Sequence, residues 1–197
     1  MKLIGIEEHF LTTEVKDAWS AIGLEAADPS VAFHGGPLEK RLVDLAEERL
    51  SLMDETGLDM QVLSLTTPSL HDLGPNSVDL ARRANNAVAE AIARHPDRFQ
   101  ALATLPVTMP DEAAFELERC VRTLGFKGAM LCGRVGHHNL DHTDLLPIFQ
   151  SAAALKAPIL LHPRAPEKAV REAYYSGFSP QVDAAFSCFG LDRKSVG

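Results

Sequence analysis

The sequence predicts an α/β fold organised around a parallel sheet, and three observations lead there. Five short apolar segments, residues 3–6, 60–65, 101–105, 128–131 and 158–161, read as strands. They are mostly apolar on both faces, the pattern of a sheet covered on both sides. Amphipathic segments separate them, so the order is β-α-β-α-β-α-β-α-β, which right-handed crossovers gather into one sheet. A doubly wound sheet and a (β/α)8 barrel both fit this order. No GxGxxG turn follows the first strand, which argues against a dinucleotide-binding fold.

The helices follow from spacing. Leu42, Leu45, Ala46, Leu50 and Met53 fall on one helical face, with Gly57 as a stop. Leu80, Ala84, Ala87, Val88, Ala91 and Ile92 form a second stripe that Pro96 ends. Asp111 is placed to cap a third helix, through Ala113, Leu117, Cys120, Val121 and Leu124 to Gly125. Thr143 is placed to cap a fourth, with Leu145, Phe149, Ala152 and Ala153 inward and Pro147 in its first turn. The longest connection, residues 11–37, is a candidate active-site loop.

The chain has 197 residues, 46% of them hydrophobic, and a formal net charge of -8. The length suits one domain with a sizeable core. The acidic balance argues against a nucleic-acid partner. No apolar run approaches the ~20 residues that span a bilayer. No signal peptide is read at the N-terminus, so a cytoplasmic location without membrane attachment is expected. Cys120, Cys132 and Cys188 form neither a disulfide framework nor a CxxC metal motif and read as reduced, structural residues.

The first strand ends in Glu7, Glu8 and His9. Alternation puts Glu7 and His9 on one face and Glu8 on the other. The carboxyl end of a strand is where parallel α/β folds place their sites. A carboxylate and an imidazole on one face are half of a divalent-metal site. The plainer reading has Glu8 solvated, Glu7 paired with a base and His9 capping a loop. His162 ends the fifth strand as His9 ends the first, and strands one and five of a barrel face each other across its mouth.

IEEHF at 6–10, GLD at 57–59, GFKGAM at 125–130 and LLHPR at 160–164 resemble the amidohydrolase superfamily. The branch they resemble contains aminocarboxymuconate-semialdehyde decarboxylase and the resorcylate and dihydroxybenzoate decarboxylases. The resemblance runs to about residue 186. It implies a metal-dependent (β/α)8 barrel of which this chain holds about the first five strands. It implies Glu7, His9 and His162 as metal ligands, with zinc first and manganese or magnesium as alternatives. A catalytic His after strand six and an Asp ligand after strand eight lie beyond the chain end, so a chain inactive by itself is expected. The domain reading is 1–186 as the N-terminal part of the barrel and 187–197, SCFGLDRKSVG, as an atypical tail of the kind an out-of-frame or truncated end produces.

The implied activity is non-oxidative decarboxylation of a small aromatic or unsaturated carboxylic acid by a homo-oligomer. The alternatives are hydrolysis of a lactone or amide on the same ligands, and a non-catalytic chain that at most binds a partner. Decarboxylases of this branch carry a polar amide near the position of Cys132, so this residue bears on substrate identity. Arg164 is a candidate for holding the substrate carboxylate, or else an ordinary ion pair. His71, His137 and His138 are loop histidines that either reach the pocket or stay solvated. Trp19 and Phe33 either cover an aromatic ring or pack the first loop down. His34-Gly35-Gly36 is a flexible turn or a lid hinge.

Overall fold

The computed structural model describes residues 1–175, Gly177 and Ser179. Cys188 and the 187–197 tail lie outside them. Five strands, β1 (Ile4–Phe10), β2 (Met60–Leu65), β3 (Phe99–Ala103), β4 (Gly128–Cys132) and β5 (Ile159–His162), form one sheet in the order β1-β2-β3-β4-β5. Every pairing is parallel. In a flat sheet, four steps of about 4.8 Å would hold the outer strands roughly 19 Å apart. Yet the rings of His9 on β1 and His162 on β5 lie 5.0 Å apart. The sheet is therefore curled into half of a barrel.

The helices are α1 (Thr13–Ala21), α2 (Leu24–Ala27), α3 (Gly36–Val43), α4 (Glu47–Thr56), α5 (Ser77–Arg94), α6 (Pro110–Arg122), α7 (Leu146–Leu155) and α8 (Lys168–Tyr175). They pack on the convex face, where the main core joins Phe10, Trp19, Leu63, Phe99, Leu117, Leu131 and Ile148. The concave face carries a small second cluster, Leu102, Met130 and Cys132, with Val62 and Leu160 against it. At the outer strands Ile4, Ile6 and Leu161 are exposed.

Several local expectations change. The stripe from Leu42 to Met53 is broken into α3 and α4. Asp44 lies at the break, and its carboxylate accepts from the backbone N–H groups of Ala46 (3.2 Å) and Arg49 (2.6 Å). A short acidic side chain that satisfies a helix start this way competes with continuing the preceding helix. Gly57 does end α4, in the left-handed conformation at φ 73°. β3 stops at Ala103 rather than 105, because the Asn85 amide takes both backbone groups of Thr104, each at 2.9 Å.

Asp111 sits inside the first turn of α6, with Met109 at the cap. There its charge favours the helix N-terminus without a capping bond. Thr143 begins a 3-10 turn, Thr143–Leu145, and α7 starts at Leu146. Within α7 it is Ile148 and Ala152 that are buried, whereas Ala153 is exposed. The long first connection is not a bare loop. It holds α1, α2 and a 3-10 turn, Pro29–His34, before α3 begins.

Candidate metal centre

β1 runs to Phe10, so Glu7 and His9 lie within the strand rather than after it. The register against β2 shifts between Gly5 and Glu8, where β1 carries one residue more than its partner. This bulge re-aims the side chains beyond it. The Glu8 carboxylate folds back over Gly5, into the space that a Cβ there would occupy. Glu8 then accepts from the Gln61 amide at 2.9 Å, and burial raises its pKa. Glu7 and His9 share the other direction, as alternation requires.

Glu7, His9 and His162 offer ligand atoms that all lie within 4.8 Å of one another. Glu7 Oε1 is 3.9 Å from His9 Nε2 and 3.4 Å from His162 Nε2. The second nitrogen of each ring is engaged elsewhere. His9 Nδ1 meets Ser64 Oγ at 3.2 Å, and His162 Nδ1 meets the Pro163 carbonyl at 2.6 Å. Such outer contacts fix the tautomer and leave Nε2 as the donor nitrogen. Burial, and then the neighbouring His162, lower the pKa of His9. A neutral imidazole is the form that binds a metal. Two imidazole nitrogens and a carboxylate oxygen therefore fit a divalent ion in chemistry and direction.

A cavity of about 580 Å³ opens beside these three residues, with Ser30, His34 and Thr66 in its wall. His34 is buried, its Nε2 lies 2.9 Å from Thr66 Oγ1, and burial pushes its pKa down to about 4. Thr66 and Thr67 directly follow β2. A polar pair at the carboxyl end of a strand was a signal available in the sequence. Arg49, also in the cavity wall, donates to the His9 carbonyl (2.9 Å), the Arg41 carbonyl (2.9 Å) and Gln61 Oε1 (3.1 Å), so it pins the strand of Glu7 and His9. No motif pointed to it.

The other sequence candidates fall elsewhere. Arg164 is buried, ion-paired with Asp28 at 3.5 Å and with Asp72, and outside the cavity wall. That geometry favours the ion-pair reading over contact with substrate. His71 is buried, accepts from the Cys132 N–H at 3.0 Å, and has its pKa pushed down to about 3 by burial. His137 is exposed and pairs with Glu167 at 2.9 Å. His138 stacks on His142 at 3.7 Å with the rings 18° from parallel. With Asp144 these two make another group of possible ligand atoms, but stacked rings hold their in-plane lone pairs side by side rather than converging.

Trp19 packs the first connection down, its Nε1 donating to the Ser69 carbonyl at 2.8 Å. The Phe33 side chain is outside the described ones. Cys120 and Cys132 are buried and unpaired, and burial raises the pKa of Cys132 to about 12. Among the described residues no helix is long and apolar enough to cross a membrane.

Comparison with known proteins agrees with this geometry. The chain is 36% identical over 171 residues to the gamma-resorcylate decarboxylase of Polaromonas sp., covering 83% of this chain and 50% of that protein. It spans about half the length of the curated relatives it matches. The 5-carboxyvanillate decarboxylase of Novosphingobium aromaticivorans, solved with manganese and 4-hydroxy-3-methoxy-5-nitrobenzoic acid, superposes with a TM-score of 0.81 at 30% identity, over 94% of this chain and 55% of that one. The dihydroxybenzoic acid decarboxylase of Polaromonas sp., solved with manganese and 2-nitroresorcinol, gives 0.73 at 32% identity, over 95% and 59%. The family model described as Amidohydrolase matches residues 34–185, which takes in β2 to β5 and the LLHPR stretch with His162. A match over that much of the chain, on a half-barrel shared with these enzymes, places the protein in the amidohydrolase family.

Proposed function

We propose that the protein is a metal-dependent, non-oxidative decarboxylase of a hydroxylated aromatic acid, with Glu7, His9 and His162 as metal ligands. The observation that carries this reading is the pair of Nε2 atoms directed at one Glu7 oxygen, each ring tied at its other nitrogen. A bound divalent ion there would offset the charge of the substrate carboxylate and a neighbouring oxygen. Zinc is our first choice from the mixed nitrogen and oxygen donors, with manganese or magnesium as alternatives. The manganese held by both solved relatives supports manganese as the nearer of the two.

The chain's own residues would set the geometry around the reacting acid. Arg49 fixes the backbone of His9, and Ser64 fixes its ring. Thr66 and Ser30 line the cavity beside the ligands, their hydroxyls engaged by His34 and Asp28. The reaction replaces a carboxylate by a proton at the ring carbon and releases carbon dioxide. We assign that proton to none of the described residues. Domain limits of 1–186 and 187–197 remain part of the same proposal. Exposed Ile4, Ile6 and Leu161 support association of copies, and free Cys120 and Cys132 are in keeping with the cytoplasm.

The test is to load the purified chain with zinc or manganese, measure the stoichiometry, and assay a panel of dihydroxybenzoates, lactones and amides. One ion per chain at this site is the expected result, with carbon dioxide and the matching phenol as products only where residues beyond the described ones supply the proton. Acid release from a lactone or amide, without carbon dioxide, would replace the decarboxylase reading by the hydrolase one. Failure to bind either ion would remove the ligand assignment.

A further inference from the structure

We propose that Arg164 is a positioning residue that latches the segment 24–34 over the cavity. Arg164 stands two residues after His162 and is only 6% exposed. Its guanidinium reaches three connections that leave the sheet at the site end. Nε lies 3.5 Å from Asp28 Oδ2, one terminal nitrogen pairs with Asp72, and the other donates to the Arg134 carbonyl at 3.2 Å. Those connections follow β1, β2 and β4, and Arg164 itself follows β5.

Asp28 is the joint. It is 4% exposed and divides its carboxylate between two tasks. Oδ2 faces Arg164. Oδ1 accepts from the Ser30 N–H at 2.9 Å and the Ser30 hydroxyl at 2.6 Å, which starts the 3-10 turn Pro29–His34. Ser30 and His34, near the two ends of that turn, both line the cavity. His34 in turn meets Thr66 after β2 and lies against Trp19, with ring centroids 5.5 Å apart. The latch therefore runs from the strand of His162 through Arg164 and Asp28 to the two residues that cover the cavity. Oδ1 is fixed by two hydrogen bonds and Oδ2 faces the guanidinium as a buried ion pair at 3.5 Å without a hydrogen bond, so movement of the guanidinium is passed to the turn by charge. Only arginine presents donors in a planar fork that serves three partners at once, and lysine, a point charge, serves fewer.

The ligand-binding part of this proposal rests on the decarboxylase reading, whereas the latch itself does not. Arg164→Lys, Asp28→Asn and the double variant are made in the full chain. Trp19, the sole tryptophan, reports on the cover directly through its emission. Calorimetry with the manganese-loaded chain measures binding of 2,6-dihydroxybenzoate and of resorcinol, which lacks the carboxylate.

The latch predicts a red shift of Trp19 emission in either single variant and no further shift in the double. Both compounds should weaken by a common factor of about tenfold, within the range that small misplacements of a site cost, while manganese affinity stays unchanged. Should Arg164→Lys fail to fold, Asp28→Asn carries the test, because its amide oxygen still caps Ser30. Loss of affinity for the carboxylate compound alone overturns the proposal and makes Arg164 a substrate contact. Unshifted emission, or additive effects in the double variant, overturns it as well. A parent chain that binds neither compound instead removes the decarboxylase reading, and Trp19 emission then decides the latch.

Discussion

β4 and β5 are neighbours in one sheet and behave as opposites. All five residues of β4 are buried, and none of the four in β5 is. β1, at the other edge, is buried only at Phe10. The middle strands are covered by α5 and α6 and carry the core, whereas the outer strands carry the proposed metal ligands and remain half open. Stability and chemistry are thus set by different strands. A change in the middle should be felt as unfolding, and a change at the edges as lost binding.

The largest effect is expected in the middle. Phe99 is fully buried at the start of β3, and Phe99→Ala should cost about 3–5 kcal/mol. That is a large fraction of the roughly 5–15 kcal/mol by which domains are stable. Equilibrium urea unfolding measures it. A loss below about 1 kcal/mol would erase the contrast between middle and edge.

At the edge, His9→Ala or His162→Ala should abolish divalent-metal binding while the urea midpoint of the metal-free chain moves little. Ser64→Ala sharpens the point. It removes only the partner of His9 Nδ1, and should weaken metal affinity by about 10–100-fold, the usual cost of an outer contact. Calorimetric titration with manganese separates the three. Equal affinity in all of them would mean that ions bind elsewhere.

The next effect is titration of two buried histidines, one at the end of β4 and one in the cavity wall. His71, beneath β4, and His34 are buried neutral, with pKa values of about 3 and about 4 against an ordinary value of 6.5. The unfolded chain therefore binds more protons than the folded one between pH 6.5 and those values. Stability is unaffected by these groups above pH 6.5 and falls as the pH drops below it, on the order of 1 kcal/mol per pH unit for each group. Melting temperatures of the metal-free chain from pH 7.5 to 4.5 should decline accordingly. His71→Gln, which keeps an acceptor for the Cys132 N–H, should flatten the slope. An unchanged slope would assign the acid sensitivity to other groups.

The strands of this fold were legible because burial on both faces leaves a simple mark, an apolar run between polar stretches. β2 was found to the residue. The ends failed where side chains override pattern, at Asn85 closing β3 and at Asp44 dividing α3 from α4. The grouping of Glu7, His9 and His162 was readable because an i, i+2 pair and a second strand end obey simple geometry. The bulge in β1 was not, since it depends on the register with β2. Arg49 and the Arg164–Asp28 pair were out of reach for a related reason. Their partners are 40 and more than 100 residues distant in sequence, and no local signal encodes a contact of that span.

The smallest effect tests the open edge itself. Ile6 lies in the bulged part of β1 and is 64% exposed. Ile6→Thr keeps the β-branch that suits a strand and removes apolar surface. Water already reaches most of that surface, so the transfer free energy of the lost ethyl group is largely absent from the folding balance. Stability should change by less than about 0.5 kcal/mol, the usual range for surface positions. The same substitution removes apolar surface from the exposed edge strand β1, and should lower self-association measured by light scattering. A cost near 2 kcal/mol would mean that Ile6 is buried in solution. If that cost grows with protein concentration, another copy of the chain covers it, and the edge strands then belong to the stabilising part of the molecule as fully as β4 does.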